Sequence, residues 1–346
     1  GPLRDLYEQA GIPVQVNLHP LAGVFTAAEY ECAIDRFAET IRLTGAEIVY
    51  ANTLQTFYAV AAAHKRGIPS IWNPRESEPW QTYFDHFGPE IVRRALGCFA
   101  YPYRIIFVAD ATRNVYSALN SHHNFMVIHN GLNLGRLEKQ ARRWPRTAAR
   151  EKLQAKEEEI ILLLLGTVCP RKGQEDLVRA LTKLDSRLHR LVQCFIVGDR
   201  AGSYSNELHA LARSLPESLQ RRVHIVPEVE DTALYYRAAD IFVCTSRIES
   251  FPRVVLEAMA YELPVVTTPV YGIREQVRPG INGLFYDPGN DKQLAATIAG
   301  LIRDPAHRRQ LAANSRHVLA TLNTFKEMVA QYGQTFREAA GVLRRE

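Results

Sequence analysis

Within ESFPRVVLEAMAYELPVV, Glu249 to Val266, two carboxylates stand eight residues apart and a strongly apolar helix separates them. Upstream, DIFVCT (240–245) reads as a strand and TSRIES (245–250) as a turn. Pro252 suits a first helical turn, where a missing N–H would be unpaired anyway, and Ser250 is placed to cap it. The helix PRVVLEAMAYE must stop before Pro264, and Val254, Val255, Leu256 and Met259 give it a core-like face. A strand, a tight turn and a helix start lie at the carboxyl end of a parallel sheet, where open α/β folds bind ligands. The free amides and partial positive charge of a helix start suit a phosphate, and Glu249 would sit beside it. Glu257 follows about five helical residues in, roughly 7 to 8 Å along the axis, which is about the distance from a diphosphate to an attached sugar or ribose. A carboxylate accepting two vicinal hydroxyls suits a ribose and explains a charge on a helix built for burial. A lone Glu on an amphipathic helix would read as an ordinary surface residue.

Around this stretch, short β-branched apolar runs alternate with longer segments of helical spacing. The strand-like runs are EIVYA (47–51), PSIW (69–72), RIIFVA (104–109), FMVIH (125–129), EIILLLLG (159–166), LVQCFIVG (191–198), RVHIV (222–226), DIFVCT (240–245) and PVVTT (264–268). Helical spacing marks residues 174–184, 205–215 and 292–303, while INGLFYDPGND (281–291) reads as a structural turn. Strand and helix alternating in this way, with strands apolar on both faces, imply parallel sheets covered by helices, an α/β fold. The polar, basic passage at 130–158 interrupts the alternation, so two sheets are expected: residues 1–145 form a first domain, 146–320 a second, and the helical 321–346 crosses back to the first. The opening GPLRDLYEQAGIPV reads as a helix followed by a strand. A doubly wound domain opens on a buried strand instead, so the first domain is expected to be incomplete at its start.

A chain of 346 residues exceeds what one core organises, and 47% apolar with 23% charged residues excludes disorder and coiled coil. The five cysteines lie far apart, with no CxxC and no His/Cys pair at ligand spacing, so they read as buried thiols of a reducing compartment and no metal site is expected. The longest aliphatic run, Ile160 to Leu165, is too short to span a bilayer, and no basic-then-apolar leader opens the chain, so a cytoplasmic location is expected. The net charge of +5 is modest, but residues 136–150 are locally basic and Arg344 and Arg345 add a further pair. Such runs are solvated faces or, in the minority, peripheral contacts with anionic lipid at the inner face of the membrane. Nucleic acid is excluded as a partner by the lack of an aromatic-interleaved basic platform, and a dinucleotide dehydrogenase by the lack of a GxGxxG after any strand.

Residues 159–320 resemble the family 4 retaining glycosyltransferases, whose two Rossmann-like domains face each other across a cleft, the GT-B fold. The resemblance is carried by AADIFVCTSRIESFPRVVLEAMAYELPVVTTPVYGIREQV (238–277), in which Glu249 and Glu257 match the family's E-x7-E motif. It implies a nucleotide-sugar donor, a UDP- or GDP-sugar, with Glu249 at the transferred sugar, Glu257 at the ribose, and Ser250, Phe251, Pro252 and Arg253 around the phosphates, the amides of Phe251 and Arg253 nearest them. LLLGTVCPRKGQEDLVRAL (163–181) is similar to the family's strand and loop bearing an Arg and, five residues later, a Lys that neutralise the diphosphate. Lys172 fits the lysine, but Thr167 stands at the arginine position, so a further charge is sought in Arg171 or Arg247. The departure reads as a subfamily variation in preference to impaired catalysis. Gly198 belongs to a glycine turn, IVGDR (196–200), and Val226 to Val229 to the segment whose backbone meets the base. YGIREQV (271–277) resembles a loop approaching the donor, with Tyr271 in place of a more usual glycine, and VIHNGLN (127–133) the turn at the hinge. IWNPRESEPW (71–80) takes the place of the acceptor-facing loop, where Arg75 and Glu76 either contact substrate or serve in surface salt bridges. The family's glycine-rich turn after its first strand finds no match.

The expected reaction joins the donor sugar to a hydroxyl of a glycan or lipid-linked acceptor, with retention at the anomeric carbon. Catalysis would be positioning and electrostatics, with Lys172 and helix amides stabilising the departing nucleoside diphosphate and Glu249 at the sugar. The resemblance implies no divalent metal, consistent with the lack of a DxD, and no cofactor. Two alternatives stay open: a nucleotide-sugar-binding module without turnover, and a glycoside hydrolase with Glu249 and Glu257 as acid and base.

Overall fold

The computed structural model describes residues 2–16 and 20–342. Among these residues, ten strands build two all-parallel sheets. The first joins β1 (Val49–Asn52), β2 (Ser70–Asn73), β3 (Arg104–Phe107) and β4 (Phe125–Val127) in sequence order. The second contains β5 (Ile160–Leu165), β6 (Val192–Asp199), β7 (Val223–Pro227), β8 (Ile241–Cys244), β9 (Val265–Thr267) and β10 (Gly283–Phe285), in the order β10-β9-β8-β5-β6-β7. The expected α/β architecture is thus present as two parallel-sheet domains.

Each sheet is buried on both faces, and the pleat distributes its side chains accordingly. Along β5, Ile160, Leu162 and Leu164 enter one cluster with Leu177, Leu181, Leu294 and Ile298. Ile161 and Leu163 enter the cluster on the opposite face with Phe242, Val255, Leu256 and Met259. The first sheet is covered on one side by Ile34, Phe57, Val60, Ile91 and Phe99. On its other side the helix Phe325–Val342 turns Met328, Tyr332, Phe336 and Ala339, a row of near-fourfold spacing, onto Ile71, Ile106 and Ile128. The chain therefore passes between the domains twice, and the passes lie side by side where Leu132 and Thr324 form a parallel bridge.

The structure departs from the sequence-based expectation in several places. Residues 12–16 pair with no strand among the described residues, and Ile12 and Val16 are exposed, so the expected opening strand is absent there. The presumed turn at 281–291 contains β10, which pairs with β9 over only Gly283–Phe285, too short a run for periodicity to mark. The basic passage folds into the helices Leu134–Ala141 and Arg146–Lys152. Arg150 is buried, bonding Asp240 and the carbonyls of Ala238 and Glu159, and Arg146 also pairs with Asp240, so two of its cations serve the core while Arg136, Arg142 and Arg143 face solvent. Arg344 and Arg345 lie outside the described residues. All five cysteines are free, but Cys32 is exposed on the outer face of the helix Ala27–Leu43. Among the described residues no helix is long and apolar enough to cross a membrane.

Candidate active site

The strand order fixes where a ligand can sit. From β5 the chain winds outward through β6 and β7, then returns to place β8 on the other side of β5 and winds outward again. At such a reversal the loops after the two central strands part and leave a crevice at their carboxyl ends. The loop after β5 carries Lys172, and the loop after β8 carries Glu249. Lys172 Nζ donates to Glu249 Oε2, with both side chains 13% exposed. Arg171 Nη1 reaches the same oxygen at 3.4 Å and Ser246 Oγ at 3.5 Å, so two cations and a hydroxyl converge on one carboxylate oxygen.

Two hydrogen bonds between the loops, and one within the loop after β5, hold them in register. Thr245 Oγ1 donates to the Lys172 carbonyl at 2.7 Å, the Arg247 amide donates to the Arg171 carbonyl at 2.8 Å, and Gln174 Nε2 donates to the Thr167 carbonyl at 3.0 Å. Gly198, at φ 118°, allows the turn after β6 to approach, since a Cβ there would come within 2.5 Å of the Gly166 carbonyl oxygen. Of the two arginines considered for the missing diphosphate charge, Arg247 is spent elsewhere: Nη2 pairs with Glu175 at 2.9 Å and Asp176 at 2.8 Å. Arg171 faces Glu249 and the crevice. Thr167 is exposed on the same loop.

Glu257 sits on the helix Arg253–Ala260, half-buried. Its Oε2 accepts from the Tyr236 hydroxyl at 3.1 Å, and that hydroxyl also contacts the Val254 carbonyl at 3.2 Å. Tyr236 is fully buried and stacks on Tyr261 with centroids 4.9 Å apart. Burial pushes the Glu257 carboxyl above the usual carboxylate range, while Arg253, the Tyr236 hydroxyl and Arg136 oppose the rise. Tyr236 was not legible as a site residue; its one signal is the Tyr-Tyr pair preceding AAD (238–240).

Ser250 and Pro252 do not cap the helix as expected. Pro252 occupies the cap position itself, and Ser250 Oγ instead donates to the Arg75 carbonyl and accepts from Ser77 Oγ at 2.8 Å, both in the first domain. The chain bends at Ser250 and Phe251, which carries Ser250 past the helix end and into the interdomain seam. Phe251 is buried there too, stacked on His129 at 4.8 Å, and its carbonyl accepts from Asn130 Nδ2 at 2.9 Å. Arg253 is exposed at the helix start. The Gly272 backbone closes on the same seam: a Cβ there would lie 1.8 Å from the Ser250 carbonyl oxygen and 2.7 Å from Ala109 Cβ. Its neighbour Tyr271 holds φ 42°, a conformation that favours the glycine it replaces.

Glu275, on the loop expected to approach a donor, turns to the first domain. It accepts from the amides of Asp110 at 3.1 Å and Ala111 at 2.8 Å and meets His129 Nε2 at 2.9 Å. Burial is the largest influence on its carboxyl and acts upward, but His129 and the two amides together hold it below the usual range. Asp110, His129 and Glu275 bring ligand atoms within 4.8 Å of one another, and the oxygens of Glu275 are already committed to the interdomain contacts just described.

Among the described residues neither Arg75 nor Glu76 forms the surface salt bridge that the sequence allowed. The Glu76 carboxylate accepts from the amides of Leu54 and Arg75, both at 2.8 Å, and so supports the turn in which Thr53 holds φ 81°. The Arg75 guanidinium donates instead to Asn52 Oδ1 at 3.3 Å and Asn130 Oδ1 at 3.1 Å. An interdomain cavity of about 330 Å³ is lined by Arg75, Glu76, Ser77, Glu78, Arg171, Ile248, Glu249 and Ser250. It unites residues singled out on both sides of the cleft. Glu257, Gly198, Val226 and Val229 are not among its walls; the two valines are half-buried at the end of β7, against the cluster that includes Tyr235 and Tyr261.

Two parallel-sheet domains closing over a charged crevice at a sheet reversal define the GT-B architecture. Residues 145–318 match the model of the family described as glycosyl transferases group 1, half of the chain, and the chain belongs to that family. A D-inositol 3-phosphate glycosyltransferase of Geodermatophilus obscurus is 31% identical over 206 residues, covering 58% of this chain and 46% of the relative. The chain spans under half the length of the curated relatives it matches. Among solved structures, Anabaena Alr3699/HepE in complex with UDP-glucose superposes with a TM-score of 0.80 at 23% identity, covering 98% of this chain and 89% of that one. Sucrose-phosphate synthase of Thermosynechococcus elongatus gives 0.77 at 22%, covering 90% and 79%. At these identities the likeness is one of fold.

Proposed function

We propose that the chain is a family 4 type retaining glycosyltransferase that moves a sugar from a UDP- or GDP-sugar to a hydroxyl of a glycan or lipid-linked acceptor, without a divalent metal. One observation carries the reading: Lys172 and Arg171 converge on Glu249 at the β5/β8 reversal, and Arg171 and Glu249 line the interdomain cavity. The sequence motif and a UDP-glucose complex of a protein of the same fold support the donor class.

In this reading residues 1–145 are the acceptor side, 146–320 the donor side and 321–346 the return to the first domain. The donor diphosphate takes over the cations that now neutralise Glu249. Lys172 stabilises the charge that develops on the departing phosphate, and Arg171 supplies the charge that Thr167 does not. Freed from its partners, Glu249 accepts from hydroxyls of the transferred sugar, while Ser250, Phe251, Pro252 and Arg253 form the phosphate-facing turn. Glu257, oriented by Tyr236, takes the ribose hydroxyls, with Gly198, Val226 and Val229 toward the base. Exposed Arg136, Arg142 and Arg143 give a patch for peripheral contact with anionic lipid on the cytoplasmic face.

The second reading, a binding module without turnover, is favoured only by Thr167. Calorimetry with UDP, GDP and ADP, followed by donor hydrolysis and transfer assays, tests both. Tight binding of one nucleoside diphosphate with sugar release supports the enzyme, binding without release supports the module, and no binding removes both.

A further inference from the structure

Ser250, the residue after Glu249, is held from the other domain through three hydroxyls in a row. Thr112 Oγ1 and Ser77 Oγ lie 2.6 Å apart, Ser77 Oγ and Ser250 Oγ 2.8 Å apart, and Ser250 Oγ bonds the Arg75 carbonyl. A carbonyl can only accept, and each hydroxyl has one proton to give. Ser250 therefore donates to Arg75, Ser77 must donate to Ser250, and Thr112 must donate to Ser77. The row has a single direction, and all three side chains are buried.

Hydroxyls withdrawn from water need their partners, so such a row holds as a unit. Its members come from three places: Thr112 from the helix Asp110–Val115, Ser77 from the loop after β2 and Ser250 from the turn after β8. Ser77 and Ser250 line the interdomain cavity together with Glu249. The first domain grips the next residue of the turn as well, since Asn130 Nδ2 donates to the Phe251 carbonyl at 2.9 Å. At Pro252 the second domain takes over, with Gln276 Nε2 donating to its carbonyl at 3.1 Å. Ser250 and Phe251, which connect Glu249 to its helix, are thus fixed from the opposite side of the cleft by bonds that opening would break.

We infer that Ser77, backed by Thr112, is a positioning residue for sugar transfer: through Ser250 it sets the backbone that carries Glu249, and does so only once the two domains have closed. This rests on the reading of Glu249 as the group at the transferred sugar. Positioning that depends on closure keeps the donor from reacting with water in an open cleft.

The test compares hydrogen exchange and turnover in the full chain, with UDP-glucose and GDP-mannose as donors. In Ser77→Ala, amide exchange across residues 250–256 should quicken about tenfold, while β5 and β6 exchange as in the wild type. Turnover, kcat, should fall about tenfold with the donor KM changed by less than about twofold. Thr112→Val keeps the shape and loses the hydroxyl, and Thr112→Ser does the reverse. The valine variant should follow Ser77→Ala by a smaller factor of about three, and the serine variant should match the wild type. Unchanged exchange in Ser77→Ala overturns the clasp, and so does a defect in Thr112→Ser that Thr112→Val escapes. Faster exchange with unchanged kcat makes the contact structural and overturns the positioning role. If the wild type turns over neither donor, the donor reading has failed, and the exchange comparison alone decides whether Ser77 holds the turn.

Discussion

Lys172 and Glu249 meet across the reversal of the second sheet, one from the loop after β5 and one from the loop after β8, and both side chains are largely withdrawn from water. A largely buried ion pair adds little net stability, because desolvation offsets the attraction. Lys172→Ala should therefore cost less than about 3 kcal/mol of stability, since Arg171 and Ser246 stay on the carboxylate. Turnover should fall about 100- to 1000-fold, as for loss of one preorganised donor to developing charge. Denaturant unfolding and donor turnover measured side by side check this; losses of equal weight in both would make Lys172 a structural residue.

Glu257→Gln should separate binding from stability. Loss of a charged acceptor should weaken nucleoside diphosphate binding by about 1 to 3 kcal/mol, read by calorimetry. The folded carboxyl has its proton affinity raised by burial, so between the unfolded and folded pKa the folded state binds more protons and stability falls as pH rises through that window. The variant lacks this loss. Its melting temperature should exceed that of the wild type at neutral pH, and the gain should vanish below about pH 4, under the ordinary Glu value. A variant that binds nucleotide normally excludes the ribose role.

Tyr236→Phe removes the hydroxyl that holds Glu257 and opposes the upward shift of its carboxyl. Donor binding should weaken by about 1 kcal/mol at neutral pH. Its acid limb should also move to higher pH, a displacement that a purely packing role for the ring would not produce. Nucleotide affinity followed against pH for both forms is the measurement.

The contact of Glu275 with His129 and the start of the helix Asp110–Val115 joins the domains through a carboxylate held ionised. Its carboxyl is lowered in the folded state, so this contribution is present above the ordinary Glu value of about 4.3 and is lost as pH falls through the lower folded value. Small-angle scattering should show the wild type opening only under acid conditions and Glu275→Ala already more open at neutral pH. Identical profiles for the two would show that the contact does not set the spacing of the domains.

Much of this arrangement was legible in the sequence because parallel strands are apolar on both faces, and nine runs of that kind correspond to nine of the ten strands. Spacing and resemblance singled out Glu249 and Lys172, which the fold brings into contact across the sheet reversal. What could not be read were choices among partners made in three dimensions. Ser250 has every local property of a helix cap but bonds the other domain. Arg247 sits two residues before Glu249 and points away to Asp176. Glu76, adjacent to Arg75, gives its carboxylate to amides. Each outcome depends on a group far away in the chain, and local pattern has no access to it.

The side-by-side passes at Leu132 and Thr324 constrain how the molecule can breathe. Two neighbouring strands of backbone bend readily about the line that joins them and resist shear and torsion, much as a door is limited by paired pins. Opening of the cleft is thereby channelled into one swing, so that each closure returns Arg75 and Glu249 to the same facing positions without a search.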